Sequence, residues 1–194
     1  MKVCAGILIG GQSRRMGTAK ALLQVDGTTL LERTIRVAAE AGAEVVLLGG
    51  PPFDLPPAAR VLPLLDDLRP GHGPIGGLET LLAARPEHVA LLLACDMPRL
   101  RADLLVRLCR ELGDADAIVF ATYEACEPQL HPCCASYHSR ILPIVRRAID
   151  EGHCGMMRLL SNLSARSLAL SRDEALCVEN WNEPGDLPNG IVPS

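Results

Sequence analysis

Strand-length apolar runs recur along this chain at Val3 to Ile9, Val45 to Leu48, Val61 to Leu65, Val89 to Ala94 and Ala117 to Thr122, with segments of helical spacing between them. A continuous apolar run suits a strand buried on both faces, and strands that alternate with helices are joined by crossovers, which calls for a parallel sheet. The spacing predicts a helix over 29–41: Thr29 and Glu32 can form a capping box, Leu31, Ile35, Ala38 and Ala39 share a face, and Gly42 provides a stop. Further helices are predicted over 77–85, 103–112, 139–151 and 155–161, with Pro143 tolerated only in a first turn or at a kink. The expected fold class is α/β, a mostly parallel sheet with helices on both faces. The chain has 194 residues, 48% of them hydrophobic, and no internal repeat, low-complexity tract or linker, so residues 1–194 read as one domain.

The first run leads directly into Gly10-Gly11-Gln12-Ser13-Arg14-Arg15-Met16-Gly17-Thr18-Ala19-Lys20. Glycines let backbone N–H groups approach an anion closely, and Arg15 and Lys20 supply the charge that glycine lacks. The segment therefore reads as a polyphosphate cradle. It is neither common phosphate loop, because Thr18 and Ala19 separate Gly17 from Lys20 and the glycines lack G-x-G-x-x-G spacing.

A second chemical group comes after the run Val89 to Ala94, which ends in Cys95-Asp96-Met97-Pro98. Ligands of open α/β sheets gather at the carboxyl ends of strands, so Asp96 is aimed at the edge that carries the glycine segment. A carboxylate there suits Mg²⁺, which takes oxygen ligands and bridges nucleotide phosphates. Two more motifs are Asp67-Leu68-Arg69-Pro70-Gly71-His72-Gly73-Pro74-Ile75-Gly76-Gly77 and Asn180-Trp181-Asn182-Glu183-Pro184-Gly185-Asp186-Leu187. The first has glycines that allow backbone to close over a nucleotide at a helix N-terminus. After residue 123 the alternation loosens: 124–132 reads as an irregular segment with two prolines, a place for an insertion, and Ala135 to Tyr137 as a short strand.

Composition excludes several classes. A net charge of −4 gives no basic field for nucleic acid, and two Phe, two Tyr and one Trp give no stacking platform for bases. The longest apolar run, Val89 to Cys95, falls far short of the roughly 20 residues that span a bilayer. Gly6, Gly10 and Gln12 interrupt what would be a signal segment, so a cytoplasmic protein is expected. Of the eight cysteines, Cys4, Cys95, Cys109 and Cys177 lie in apolar surroundings and are expected in the core. Cys126, His131, Cys133, Cys134, His138, His153 and Cys154 cluster in sequence, but their spacings fit no zinc module. The motifs of serine hydrolases and zinc proteases are absent, and no Cys–His nucleophile pair stands out, which leaves covalent hydrolysis without support.

The string Gly10-Gly11-x-Ser13-x-Arg15-Met16-Gly17-x-x-Lys20 resembles the nucleotide-binding loop of the MobA-like nucleotidyltransferases, in particular their molybdenum cofactor guanylyltransferases. The blocks at 67–77, 94–98 and 180–187 occur in the family's order, and the resemblance covers nearly the whole chain. Ile9 stands where the family usually has Ala, and Glu183 where it has Thr. The resemblance implies a Rossmann-like nucleotidyltransferase fold and transfer of GMP from GTP to the terminal phosphate of a molybdopterin-type acceptor, with pyrophosphate released. It implies catalytic roles for Arg15, Lys20 and Asp96. Nucleotide contacts would come from Leu8, Ile9, Gly10, Gly11, Ser13, Lys20, Asp67, Gly77 and Asp96. Mg²⁺ would be held by Asp96 and Asn182, with Asn180 nearby. Asp66 adjoins Asp67, so that assignment depends on one alignment step. Glu127 to Pro132 is similar to the family's segment near the acceptor, and transient contact with molybdenum cofactor enzymes or chaperones is a further expectation. The alternatives are a relative that uses CTP or another acceptor, and a nucleotide-binding, cofactor-handling protein without turnover.

Overall fold

The computed structural model describes residues 2–10, 20–50, 53–123 and 128–181. Strand β1 (Val3–Leu8) is followed by a small hairpin of β2 (Gln24–Val25) and β3 (Thr28–Thr29), helix α1 (Leu30–Glu40) and strand β4 (Glu44–Leu48). Next come α2 (Pro57–Arg60), β5 (Leu64–Leu65), α3 (Pro74–Ala84), β6 (Val89–Ala94), α4 (Ala102–Arg110) and β7 (Ala117–Thr122). The remainder holds β8 (Gln129–Tyr137), α5 (Leu142–Asp150), α6 (Met156–Ser161), β9 (Ala165–Ala169) and α7 (Arg172–Ala175).

Seven strands form one sheet in the order β5-β4-β1-β6-β8-β7-β9. All neighbours are parallel except β8, which runs antiparallel to both β6 and β7. Strand side chains alternate between faces, and the core divides accordingly. Ala5, Ile7, Val45, Leu47, Leu91 and Leu93 pack with Leu31 and Val37 of α1 and Leu104 and Leu108 of α4. Cys4, Val46, Leu48, Ala90 and Leu92 pack with Leu78 and Leu81 of α3, Val145 of α5 and Leu159 of α6. The expected mostly parallel sheet with helices on both faces is therefore the observed one, and Cys4, Cys95, Cys109 and Cys177 are buried as expected.

Local chemistry explains where the elements begin. Thr29 and Glu32 form the full capping box of α1. Helix α3 starts at Pro74, three residues before the expected start, because proline at the first helical position gives up an N–H that would find no partner there. Pro143 lies in the first turn of α5, after a 3-10 turn at Ser139–Ile141, so the helix is not broken. The hairpin turns on Asp26 and Gly27, with φ of 50° and 74°, as a two-residue turn with both central φ positive requires.

Two expectations need correction, and one strand was not anticipated. Only Leu64 and Leu65 of the run Val61 to Leu65 form a strand, and Val61 is 83% exposed, because the preceding residues Pro57–Arg60 turn as a helix. The segment before Ala135 is not wholly irregular: β8 begins at Gln129, held there by pairing with β7 that local propensity could not report. Pro132 is accommodated where the β7–β8 register shifts, between Leu130 and Ala135, in a stretch unpaired with β6. Strand β9, with largely exposed residues at the sheet edge, has no apolar run to announce it.

Helix α3 approaches the sheet closely because glycines on both sides of the contact leave room for leucine side chains. A Cβ on Gly77 would lie 2.6 Å from Leu8 Cδ2, and one on Gly6 would lie 2.6 Å from Leu48 Cδ1 and 2.7 Å from Leu81 Cδ2. Gly77→Val should therefore destabilise the protein by about 1–3 kcal/mol through overpacking, read as a lower urea midpoint.

At the opposite end of the sheet, Asp116 Oδ1 accepts from Arg140 Nε at 2.8 Å and Oδ2 from the Ser164 N–H at 2.9 Å. The Arg140 hydrogen bond, then the Ser164 amide, hold the Asp116 carboxyl below the usual carboxylate range. A depressed folded pKa contributes stability above the unfolded value, and that stability is lost as pH falls through the folded value. Asp116→Asn should cost about 1–2 kcal/mol at pH 7, with the gap to wild type closing below the unfolded carboxylate value of about 3.9.

Candidate functional site

The chain runs from β1 to β4 on one side and places β6 on the other side of β1, so the strand order reverses between β1 and β6. The crossover helix α1 packs on one face of the sheet and α3 on the opposite one. The segments leaving the carboxyl ends of β1 and β6 diverge at such a point and leave a crevice. Lys20 and Asp96 meet there, with Lys20 Nζ 3.8 Å from Asp96 Oδ2 and both side chains 18% exposed.

Asp96 is held in a costly state. Burial pushes its carboxyl above the usual range, and the Lys20 charge opposes that rise only in part. Its Oδ1 is buried and has no hydrogen-bond partner among the described residues. A buried carboxylate oxygen left this way is prepared for a cation. The neighbouring thiols are poor nucleophiles, since burial pushes Cys95 up to about 12 and Cys133 up to about 11.

Beside this pair, the ends of β1 and β4 come together as bare backbone. Ile9 N–H donates to Leu48 O at 3.1 Å, and a Cβ on Gly49 would lie 3.2 Å from Gly10 Cα. Gly49 has φ +87°, a conformation that L side chains rarely adopt, so both the backbone angle and the space require glycine. Asp67 Oδ2 is 3.6 Å from the same Cβ position. Asp67 is half-buried and Asp66 exposed; burial, then the Asp66 charge, raises the Asp67 carboxyl. The backbone of Ile9, Gly10 and Gly49 and the Asp67 carboxylate thus come together at one side of the crevice, while the side chains of Leu8 and Ile9 pack into the two core layers. Gly77 instead faces Leu8 and Leu48 in the core. Gly11, Ser13 and Arg15 lie outside the described residues.

The far end of the chain returns to the same place. Trp181 N–H donates to Asp96 O at 2.9 Å, while the indole packs on Leu23, Val25 and Leu30 beneath the hairpin. Asn180 is exposed beside it, and Asn182 falls outside the described residues.

A cavity of about 520 Å³ opens next to Asn180, lined among others by Thr122, Tyr123, Gln129, His131 and Ser171. Pairing of β8 with β6 ends at Cys134 and Leu93, and three residues further on each chain stand His131 and Asp96. His131 is 9% exposed and shares a 2.9 Å hydrogen bond with the Thr122 hydroxyl. Among the expected acceptor-side residues, Gln129 and His131 line the cavity; Glu127 is outside the described residues. Among the described residues no three His, Cys, Asp or Glu side chains gather as a metal group.

Gly49 and Thr122 belong to none of the sequence motifs. The signal for Gly49 is its position directly after a buried apolar run. No local pattern marks Thr122, because only the sheet brings it to His131.

Relatives agree with this architecture. A probable molybdenum cofactor guanylyltransferase of Synechococcus elongatus is 34% identical over 201 residues, covering 96% of each chain. Molybdopterin-guanine dinucleotide biosynthesis protein A from Archaeoglobus fulgidus superposes with a TM-score of 0.72 at 24% identity, covering 96% of this chain and 94% of that one. The 2-C-methyl-D-erythritol 4-phosphate cytidylyltransferase of Thermus thermophilus gives 0.70 at 18% identity, covering 96% and 95%. These two structures share the fold, and they differ in the base their names imply. Residues 5–168 match the model of the MobA-like NTP transferase domain, and the chain belongs to that family.

Proposed function

We propose that this protein transfers GMP from GTP to the terminal phosphate of a molybdopterin-type acceptor and releases pyrophosphate. The observation that carries the reading is the Lys20–Asp96 pair at the strand-order reversal, with Asp96 Oδ1 buried and unpartnered among the described residues. The sequence relatives named molybdenum cofactor guanylyltransferases support the acceptor class. We read residues 1–194 as one nucleotidyltransferase domain whose two core layers share a single sheet.

The chemistry asks little of a nucleophile-activating base. A phosphate monoester has a second pKa near 6 and is largely dianionic at neutral pH. An oxygen of the acceptor phosphate forms a bond to the α-phosphorus of GTP. The bond from that phosphorus to the bridging oxygen breaks, and its electron pair leaves with pyrophosphate. The protein's part is alignment and charge neutralisation. The bare backbone at Leu8, Ile9, Gly10 and Gly49 lets the nucleoside sit against the ends of β1 and β4, with Gly11, Ser13 and Asp67 contributing contacts and Gly77 packing Leu8 from below. Lys20 and Arg15 offset charge as it builds toward pyrophosphate. Asp96 and Asn182 would hold Mg²⁺, which supplies positive charge at the phosphate oxygens when bound. The cavity at Thr122, Gln129 and His131 takes the acceptor, because it opens beside Asn180 at the same sheet edge.

Among the described residues, no helix is long and apolar enough to cross a membrane. Transient delivery of product to molybdenum enzymes or their chaperones belongs to the same reading.

Two measurements test it. Calorimetric titration with GTP, CTP, ATP and UTP, each with and without Mg²⁺, should show magnesium-dependent preference for GTP. Preference for CTP would reassign the donor, and nucleotide binding without turnover on any phosphate acceptor would favour a cofactor-handling role. Asp96→Asn should lower kcat/KM by about 10²–10³-fold while raising Tm at pH 8. The stability gain arises because a raised folded carboxyl pKa means that ionisation opposes folding. The Tm gap should narrow as pH falls through that pKa. Near-normal turnover in this variant would remove Asp96 from the mechanism.

A further inference from the structure

Glu79, in the middle of α3, is the single Asp or Glu among the buried described residues, at 2% exposure. Its Oε1 lies 3.2 Å from both Arg69 Nη2 and Arg146 Nε, and its Oε2 is buried without a hydrogen-bond partner among the described residues. Arg69 also pairs with Asp150, which stands one helical turn beyond Arg146 on α5. The guanidinium of Arg69 is thus held between two helices. A buried ion pair is a poor way to gain stability alone, since apolar residues of similar volume usually serve as well or better. What this one secures is the segment that carries Asp67.

One more contact fastens that segment to the same helix, and two others brace its ends. Leu68 N–H donates to Thr80 Oγ1 at 3.0 Å, and the Thr80 hydroxyl donates to Gly76 O at 3.0 Å. His72 Nδ1 lies 3.0 Å from Arg69 O. All of these bonds act on residues close to Asp67 in the chain or on the helix that holds them, and the Asp67 carboxylate stands beside Gly49 and Gly10. Asp67 is thus held from two sides: before exposed Asp66, the Leu65 carbonyl accepts from Gly49 N–H at 2.9 Å, and after it Leu68 and Arg69 are tied to α3 and α5.

We infer that Glu79 is a positioning residue of the nucleotide site: through Arg69 it anchors residues 67–69 to α3 and α5 and so sets where the Asp67 carboxylate stands. The inference rests on the reading that Asp67 contacts the nucleotide.

The test uses Glu79→Met and Arg69→Gln in the full chain, with two readouts. Glu79→Met should fold with a lower Tm, because taking away one partner of a buried ion pair leaves the arginine charge behind, although Arg69 keeps Asp150. Its backbone amides at 67–69 should exchange hydrogen at least about 10-fold faster, because their local anchor is gone. GTP affinity should weaken by about 10-fold or more, with the loss falling on KM for GTP rather than on kcat, as expected when a binding group is displaced without touching the reacting atoms. Arg69→Gln, at a partly exposed position that the core does not need, should reproduce both changes, and the double variant should add little to either. Unchanged exchange in both single variants overturns the role of Glu79. Faster exchange with unchanged GTP affinity overturns the link to the nucleotide site and points to Asp67 as the mistaken step, since exchange needs no nucleotide. A wild-type protein that turns over GTP while these variants behave identically to it would leave the proposed function standing and remove only this inference.

Discussion

Strand β1 is paired on both sides, with β4 along residues 4–8 and with β6 along residues 3–8, and covered by helices on both faces. It therefore has no free edge and no wet face, and every residue in it answers to a neighbour. Gly6 is the consequence most easily seen, since any side chain there would collide with Leu48 and Leu81. The same confinement delivers the chain at Ile9 and Gly10 to a point where backbone alone fits against Gly49. Because β6 is registered on β1 from Val3↔Val89 to Leu8↔Ala94, the end of β6 is level with the end of β1. Asp96, two residues beyond Ala94, is level with Gly10, two beyond Leu8, as a result of that register.

Two carboxylates, each with a buried oxygen that has no hydrogen-bond partner among the described residues, mark the places where packing alone would have chosen otherwise. Asp96 keeps one oxygen without a partner among the described residues, while Glu79 holds a pair of arginines in an otherwise apolar layer. Each is unfavourable to fold around, and each sits where position matters to the crevice. The first presents charge to whatever binds; the second restrains the segment on the crevice's opposite wall. The neighbouring thiols of Cys95 and Cys133 are kept protonated by burial, so the charge at the crevice comes from carboxylates and amines.

Much of this is legible in the sequence. The runs Val89 to Ala94 and Ala117 to Thr122 are strands with those boundaries, because side chains buried on both faces leave an uninterrupted apolar signal. The capping box at Thr29 is a contact within four residues and so is written locally. The position of Asp96 beside the end of β1 is recognisable because both follow the carboxyl ends of neighbouring parallel strands. Strand β8 reads shorter from the sequence than it is, because Gln129 to Pro132 is strand only by virtue of β7. Thr122 and Glu79 look like ordinary members of their elements, since their partners are contributed by distant segments.

The sequence by itself determined the class of fold, and its motifs point to the sheet edge and the residue types proposed for the chemistry. These are set by periodicity and by glycine, charge and capping patterns, all of them local. Only the tertiary structure decided that β8 reverses direction, that Trp181 is clipped to the Asp96 carbonyl, and that Arg69 is shared between Glu79 and Asp150. Those features depend on pairings between residues far apart in the chain, whose energies exist only once the segments are brought together.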